Sequence, residues 1–134
     1  IGAHTQNHPI LANETETTAQ YEIQSSILEL NAILGVQVSS FAYPNGIPQI
    51  DFGKREMNFL KAMNIKLALS TENKSFSIKD NPLNIPRNGI SKGNKSFLFM
   101  KLLIGSKWDI VKKLCLGKQE DDYREEIRNI IAKK

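Results

Sequence analysis

Short apolar runs alternate with segments of helical periodicity over the first two thirds of the chain, and this alternation restricts the fold more than any other feature. Residues 36–43 and 65–70 are short runs with the composition of strands, and the second is of the buried kind. Residues 51–63 lie between them with the periodicity of a helix, and residues 82–87 form a further extended segment. Strands separated by helices are typical of parallel βα units, so we predict an α/β fold.

The helix that precedes the first strand has recognisable ends. Thr15 or Thr17 can cap its start, and Gly35 is the residue type that favours a helix end. Its predicted buried face consists of four residues at helical spacing: Ile23, Ile27, Leu30 and Leu34. In the second helix, the residues expected to face inward are Phe52, Phe59, Leu60 and Met63. Both helices are therefore expected to bury one face.

The last third of the sequence has a different character. Residues 97–116 form dense apolar helical patterns that break at Gly105. Residues 121–134 predict a final amphipathic helix with an acidic start and a basic end, which suits the helix dipole. We therefore predict two domains, an α/β region over residues 1–92 and a helical extension over residues 93–134.

Composition narrows the range of partners. The net charge is +4, but the lysines are not interleaved with aromatic residues, so we expect no nucleic-acid partner. No stretch approaches the ~20 apolar residues that span a bilayer. The lysine-flanked apolar run around Trp108 suits contact with a membrane or a partner, but we favour packing against the fold.

Cys115 is the only cysteine, which excludes an intrachain disulfide, and its apolar surroundings predict a buried side chain. With no leader pattern present, cell-envelope and cytoplasmic locations both stay open, as does the oligomeric state.

Both histidines of the chain lie near its start, at His4 and His8, and Pro9 follows them directly. Two imidazoles at this spacing converge on one metal ion if the residues between them form a turn. Pro9 disfavours the helical region for the residue before it, so we predict a tight turn rather than a helix. The simpler alternative is a pair of surface histidines in an exposed loop.

Two motifs resemble those of a known family. Residues 1–9 read Ile-Gly-Ala-His-Thr-Gln-Asn-His-Pro, which resembles the H-[ST]-x-x-H-P motif of the polysaccharide deacetylases, the NodB-homology enzymes of carbohydrate esterase family 4. Residues 40–46 read Ser-Phe-Ala-Tyr-Pro-Asn-Gly and resemble the next motif of that family, F-[RA]-x-P-[YFN]-G. The resemblance covers residues 1–90 and implies a distorted (β/α) barrel. Because full barrels take ~250 residues, we expect the chain to be the C-terminal portion of a longer protein, with residues 1–92 forming the C-terminal part of the barrel.

The resemblance also implies roles for particular residues. His4 and His8 are expected to bind a divalent metal, with Zn²⁺ favoured, and the backbone N–H of Asn45 is expected to donate to the oxyanion of the reaction. Ala42 stands where many members of the family carry an arginine that orients the catalytic aspartate. Arg87 is our candidate substitute for that arginine, and a structural salt bridge at Arg87 is the equally weighted alternative.

Part of the family's catalytic set is missing from this sequence. The third metal ligand and the general base of the family come from an Asp-Asp motif, and no such pair occurs at a predicted strand end. The histidine general acid is also missing, because no histidine follows His8. We therefore expect the 134-residue chain alone to be inactive.

The function implied by the resemblance is metal-dependent hydrolysis of the acetamide group of an N-acetylated glycan, which yields an amine and acetate. The competing hypothesis is a non-catalytic carbohydrate-binding or scaffold protein with a degenerate deacetylase fold. The incomplete catalytic set favours this second hypothesis, whereas the two motifs favour the first. The identity of the glycan stays open, and so does the metal, because histidine and carboxylate ligands suit zinc, cobalt and nickel alike.

Overall fold

The structure is a computed structural model that describes residues 1–72, 74–87, 95–104, 107 and 114–115. The chain divides into two compact units. The first comprises Ile1–Glu72 and Phe76–Arg87, and the second comprises Asn73–Ser75 and Asn88–Lys134. The predicted domain boundary between residues 92 and 93 stays a prediction, because it lies outside the described residues.

The first helix, α1, spans Glu16–Leu34, and both of its predicted ends are confirmed. The Thr15 hydroxyl accepts a hydrogen bond from the Thr18 N–H at 3.2 Å, which caps the helix N-terminus. Gly35 ends the helix in the left-handed region at φ 66°. The predicted inward face is also confirmed: Ile23 and Ile27 are buried, and Leu30 and Leu34 are partly buried against the core.

Two short parallel strands form the centre of the first unit. Strand β1 is Ser40–Ala42, strand β2 is Leu67–Leu69, and Phe41 lies opposite Ala68. Ala3 bridges to β1 on one side, and Ile85 bridges to β2 on the other, both in parallel orientation. The predicted α/β alternation is therefore confirmed, although only three residues of each predicted strand pair in the sheet. Closure of such segments into a barrel stays a prediction.

The second helix, α2, spans Lys54–Ala62 and begins three residues later than predicted. The Asp51 carboxylate accepts the Ile47 N–H at 2.8 Å, so this residue closes a turn instead of starting the helix. Phe52 pairs with Pro48 in an isolated bridge. The four predicted inward residues do face the core, because Phe52 and Leu60 are buried whereas Phe59 and Met63 are partly buried.

The core of this unit contains a cluster of aromatic rings beneath the end of β1. The rings of Tyr43 and Phe52 stack with centroids 3.5 Å apart, and Phe41 meets Tyr43 edge-on at 5.4 Å. The Tyr43 hydroxyl donates to the Leu83 carbonyl at 2.8 Å. Burial, helped by the negative charge of Glu56, raises the pKa of Tyr43 well above its usual range. The chain is therefore anchored immediately after β1 ends.

In the second unit, helix α3 spans Lys95–Ile104, which agrees with the predicted apolar helix. None of the helices in the described part of the chain is both long and apolar enough to cross a bilayer. The prediction for Cys115 is wrong, because the residue is exposed, as is its neighbour Leu114. Apolar spacing shows which residues share a face but does not show whether that face is covered. Trp108 and the predicted helix over residues 121–134 lie outside the described residues.

Candidate metal centre and the neighbouring turn

The histidine loop, residues 4–8, leaves the sheet where β1 ends. The Ala3 N–H donates to the Ser40 carbonyl, and the Ala42 N–H donates to the Ala3 carbonyl, both at 2.9 Å. This pairing fixes the register of Ala3 on β1 and places His4 at the carboxyl edge of the sheet. Ligands of α/β proteins bind outside the carboxyl ends of parallel strands.

The His4 ring is oriented by the main chain of β1. Its Nδ1 lies 2.7 Å from the Ala42 carbonyl oxygen, and because a carbonyl only accepts, the proton belongs to Nδ1. The neutral ring then keeps its free lone pair on Nε2. Metal-binding histidines are usually held by such a second hydrogen bond, which fixes both the tautomer and the direction of the free nitrogen.

A turn in the chain brings the His8 ring next to the His4 ring. The predicted turn, rather than a helix, between the two histidines is therefore confirmed. Thr5 and His8 both lie in the left-handed region, at φ 59° and 57°. The Thr5 hydroxyl accepts the His8 N–H at 3.1 Å and donates to the His4 carbonyl at 2.6 Å. As a result, the two imidazole centroids are 4.8 Å apart with an angle of 72° between the rings. Both histidines are exposed, so a ligand from solvent can reach them.

Glu22 in α1 holds the middle of this loop, a role that sequence reasoning missed. One carboxylate oxygen accepts the Gln6 and Asn7 N–H groups at 3.0 and 2.9 Å, and the other accepts the Asn7 side-chain amide at 2.6 Å. Burial would raise the pKa of Glu22, but these bonds outweigh it and lower the pKa below its ordinary value. The sequence does carry one sign of this role: Glu22 is a charged residue beside Ile23, on the predicted buried face of a helix.

The second predicted motif forms a tight turn just beyond β1. The Gly46 N–H donates to the Pro44 carbonyl at 2.6 Å, and Asn45 between them has φ 55°. The Thr71 hydroxyl donates to the Asn45 carbonyl at 2.7 Å, and the Thr71 N–H donates to the Gly46 carbonyl at 2.8 Å. Asn45 is exposed, and its own N–H donates to no acceptor within the described residues. The turn thus presents a fixed amide donor three residues after the carbonyl that holds His4.

Arg87 lies two residues beyond Ile85, which bridges to β2, and this is the neighbouring segment from which we expected it to approach. Its Nε donates to the Ser70 carbonyl at 3.0 Å, and Ser70 is the residue that follows β2. This bond goes to the main chain, whereas both predicted roles of Arg87 need a carboxylate partner. Its role therefore stays a prediction.

The two histidines fit part of a metal site. A catalytic zinc site has three protein ligands and one open position, and His4 and His8 present imidazoles from one turn. Within residues 1–72, 74–87 and the short described segments beyond them, no group of three or more potential metal ligands comes together. The described part of the chain therefore offers two donors and leaves the third position to another segment or to solvent.

The family comparison agrees with these two motifs. The sequence model of the polysaccharide deacetylase family matches residues 1–67, which is half of the 134-residue chain and includes both histidines and the turn at Asn45. The chain belongs to the polysaccharide deacetylase family. The part of this polysaccharide deacetylase that the family model matches includes strand β1 and the histidine loop at its carboxyl edge.

One solved structure extends the likeness to the fold. The polysaccharide deacetylase chain is similar to the Streptococcus pyogenes deacetylase PplD, solved in complex with acetate, with a TM-score of 0.59 and 24% sequence identity. The match covers 64% of this chain and 36% of that chain. The chain thus spans about a third of the length of PplD, and at this identity the likeness concerns the fold. The comparison with curated proteins gives no match.

Proposed function

We propose that this polysaccharide deacetylase chain provides the histidine half of a metal centre that hydrolyses the acetamide group of an N-acetylated glycan. One observation carries the proposal: the exposed His4 and His8 rings lie 4.8 Å apart, with His4 fixed on the Ala42 carbonyl at the end of β1. Membership of the family supports a deacetylase-type reaction. The products would be a free amine on the sugar and acetate.

The metal would be held by Nε2 of His4 and by the ring of His8. Zinc is the favoured ion, and cobalt and nickel suit the same ligands. When bound, such an ion lowers the pKa of water towards ~7 and polarises a carbonyl oxygen. The chain contributes orientation, because the bond from His4 Nδ1 to Ala42 keeps one donor nitrogen fixed before any ion arrives.

The Asn45 N–H would stabilise the negative charge that develops on the acetamide oxygen. Preorganised donors of this kind contribute ~10²–10³ in rate. Two bonds from Thr71 hold the Asn45 and Gly46 carbonyls that directly follow this N–H in the chain, so little reorganisation is needed during the reaction. The donor is a backbone group, and the side chain at this position is therefore free to vary.

The general base and the third ligand are proposed to come from an Asp-Asp motif in a longer form of the protein. Arg87, whose Nε donates to the Ser70 carbonyl just after β2, would then orient the basic aspartate from the neighbouring segment. A base must lie within hydrogen-bond reach of the water that it deprotonates, and no described carboxylate joins the two histidines in a metal site. The short chain alone should bind metal weakly and release no acetate.

Acetate release tests this proposal. The 134-residue chain and a longer form carrying an Asp-Asp motif upstream of Ile1 would be incubated with an N-acetylated oligosaccharide, with and without a chelator. We expect acetate from the longer form only, and its loss with the chelator, His4→Ala or His8→Ala. Activity of the short chain would show that the catalytic set is wrongly assigned, and an inactive longer form without bound metal would contradict the proposal.

The second candidate function is a non-catalytic carbohydrate-binding or scaffold protein. The observation in its favour is that the described residues assemble no three-ligand site. Retention of the longer form on an N-acetylated glycan, with neither acetate release nor bound zinc, would favour this candidate. Retention together with chelator-sensitive acetate release would favour the deacetylase.

A further inference from the structure

We infer that Glu22 is a positioning residue that sets the geometry of the histidine loop for metal binding. The inference rests on the proposed function, because it concerns the same two histidines. Glu22 is not offered as a metal ligand: both of its carboxylate oxygens accept hydrogen bonds from the loop. It would act on the metal through Gln6 and Asn7, which lie between His4 and His8 in the chain.

The loop needs support from outside, because its own conformation is strained. Thr5 and His8 are non-glycine residues in the left-handed region, a conformation that is unfavourable unless the surroundings enforce it. Inside the loop, the Thr5 hydroxyl makes the short contacts to His4 and His8. From α1, Glu22 contributes three bonds of 3.0 Å or less, whereas the Gln6 side chain reaches Glu29 only at 3.5 Å.

The negative charge and the burial of Glu22 both matter. One oxygen accepts two adjacent N–H groups and the other accepts a side-chain amide, so all three donors meet an anionic acceptor. The residue is 5% exposed, and water cannot readily replace these bonds if the carboxylate is removed. A glutamine has one acceptor oxygen, and its NH₂ group would face a donor in the loop.

Glu56 in α2 provides a matched control. It is also a buried glutamate, 2% exposed, and its carboxylate accepts the Gly53 N–H and pairs with Arg55. Within the part of the chain that is described, no hydrogen bond or ion pair links it to residues 4–8. Glu22→Gln and Glu56→Gln therefore remove the same charge from similarly buried places, and only the first touches the histidine loop.

The test is a zinc titration of the 134-residue chain followed on the imidazole NMR signals. The chain has two histidines, so the spectrum reports His4 and His8 alone, including the Nδ1 proton of His4. Loss of a residue that orients metal ligands typically lowers metal affinity by 10–100-fold. We expect Glu22→Gln to weaken zinc binding by about 10-fold or more and Glu56→Gln to bind as the wild type does, although both lower stability.

Zinc affinity that is unchanged in Glu22→Gln, or lowered equally in Glu56→Gln, would overturn the inference while the proposed metal centre stands. A wild-type chain whose imidazole signals do not respond to zinc would overturn both. If Glu22→Gln does not fold, Asn7→Ala removes one of the three bonds and leaves the buried helix face intact. We expect it to weaken zinc binding by a smaller factor, and affinity equal to that of the wild type would also reject the inference.

Discussion

His4 Nδ1 lies 2.7 Å from the carbonyl oxygen of Ala42, a residue 38 positions further along the chain. The orientation of this imidazole is therefore set by strand β1 and not by the histidine loop alone. The same strand end leads through Tyr43 into the turn that exposes the Asn45 amide. The proposed metal ligand and the proposed amide donor thus share one support, which is what a site for charge stabilisation requires.

Gly46 should tolerate substitution less well than Gly35. Both residues have positive φ, 83° and 66°, so alanine strains the backbone at either position. At Gly46 an added Cβ would also lie 3.0 Å from the Tyr43 carbonyl, whereas Gly35 faces open space. We expect Gly35→Ala to lower the free energy of unfolding by about 1 kcal/mol and Gly46→Ala by clearly more. Urea unfolding measures the free energy of unfolding of both variants. Equal decreases would show that the close approach of the added Cβ to the Tyr43 carbonyl does not destabilise the fold.

Thr71→Val should loosen the turn that carries Asn45. The substitution keeps the shape of the side chain and removes the hydroxyl that donates to the Asn45 carbonyl. A bond of this kind contributes about 1 kcal/mol net, so we expect faster exchange of the two hydrogen-bonded amides of the turn, Gly46 and Thr71, with α1 unaffected. Thr17→Val, at an exposed position in the first turn of α1, is the control. Unchanged amide exchange in the turn would mean that the bond from the Thr71 hydroxyl does not reinforce the bond from the Thr71 N–H.

The sequence predicted features that depend on local chemistry. Thr15 and Gly35 mark the ends of α1 because capping uses groups within one turn, and Pro9 disfavours a helix through the histidines. The helix α2 starts later than the sequence predicts because a side chain–main chain bond between Asp51 and Ile47 competes with the helix.

Contacts between distant segments could not be read in the same way. The hydrogen bond from the Asn7 N–H to the Glu22 carboxylate joins residues 15 positions apart. The bond from the Thr71 hydroxyl to the Asn45 carbonyl joins residues 26 positions apart. Neither pair has a spacing that a local pattern would reveal. The exposure of Cys115 is a related case. An apolar helical pattern shows that residues share a face, but burial depends on whether another segment covers that face.

Glu22 should make stability depend on pH in the acid range. Its pKa is lowered in the folded chain, so the bonded carboxylate stabilises the fold above its ordinary pKa of 4.5, and this contribution is lost as pH falls through the folded-state pKa. We therefore expect Glu22→Gln to be less stable than the wild type at pH 7, with a difference that shrinks below about pH 4.5. Urea unfolding of both chains across this range measures the difference. A gap that stays constant with pH would contradict the prediction.

Zinc binding by the 134-residue chain, measured by isothermal titration calorimetry, tests the proposed metal centre most directly. We expect weak binding of one zinc ion, because two imidazoles lack the third ligand of a catalytic site. His4→Ala and His8→Ala should each abolish it, and Asn45→Ala should leave it unchanged because its contribution is a backbone N–H. Absence of binding by the wild-type chain, or binding that survives both histidine substitutions, would contradict the assignment of His4 and His8 as a metal-binding pair.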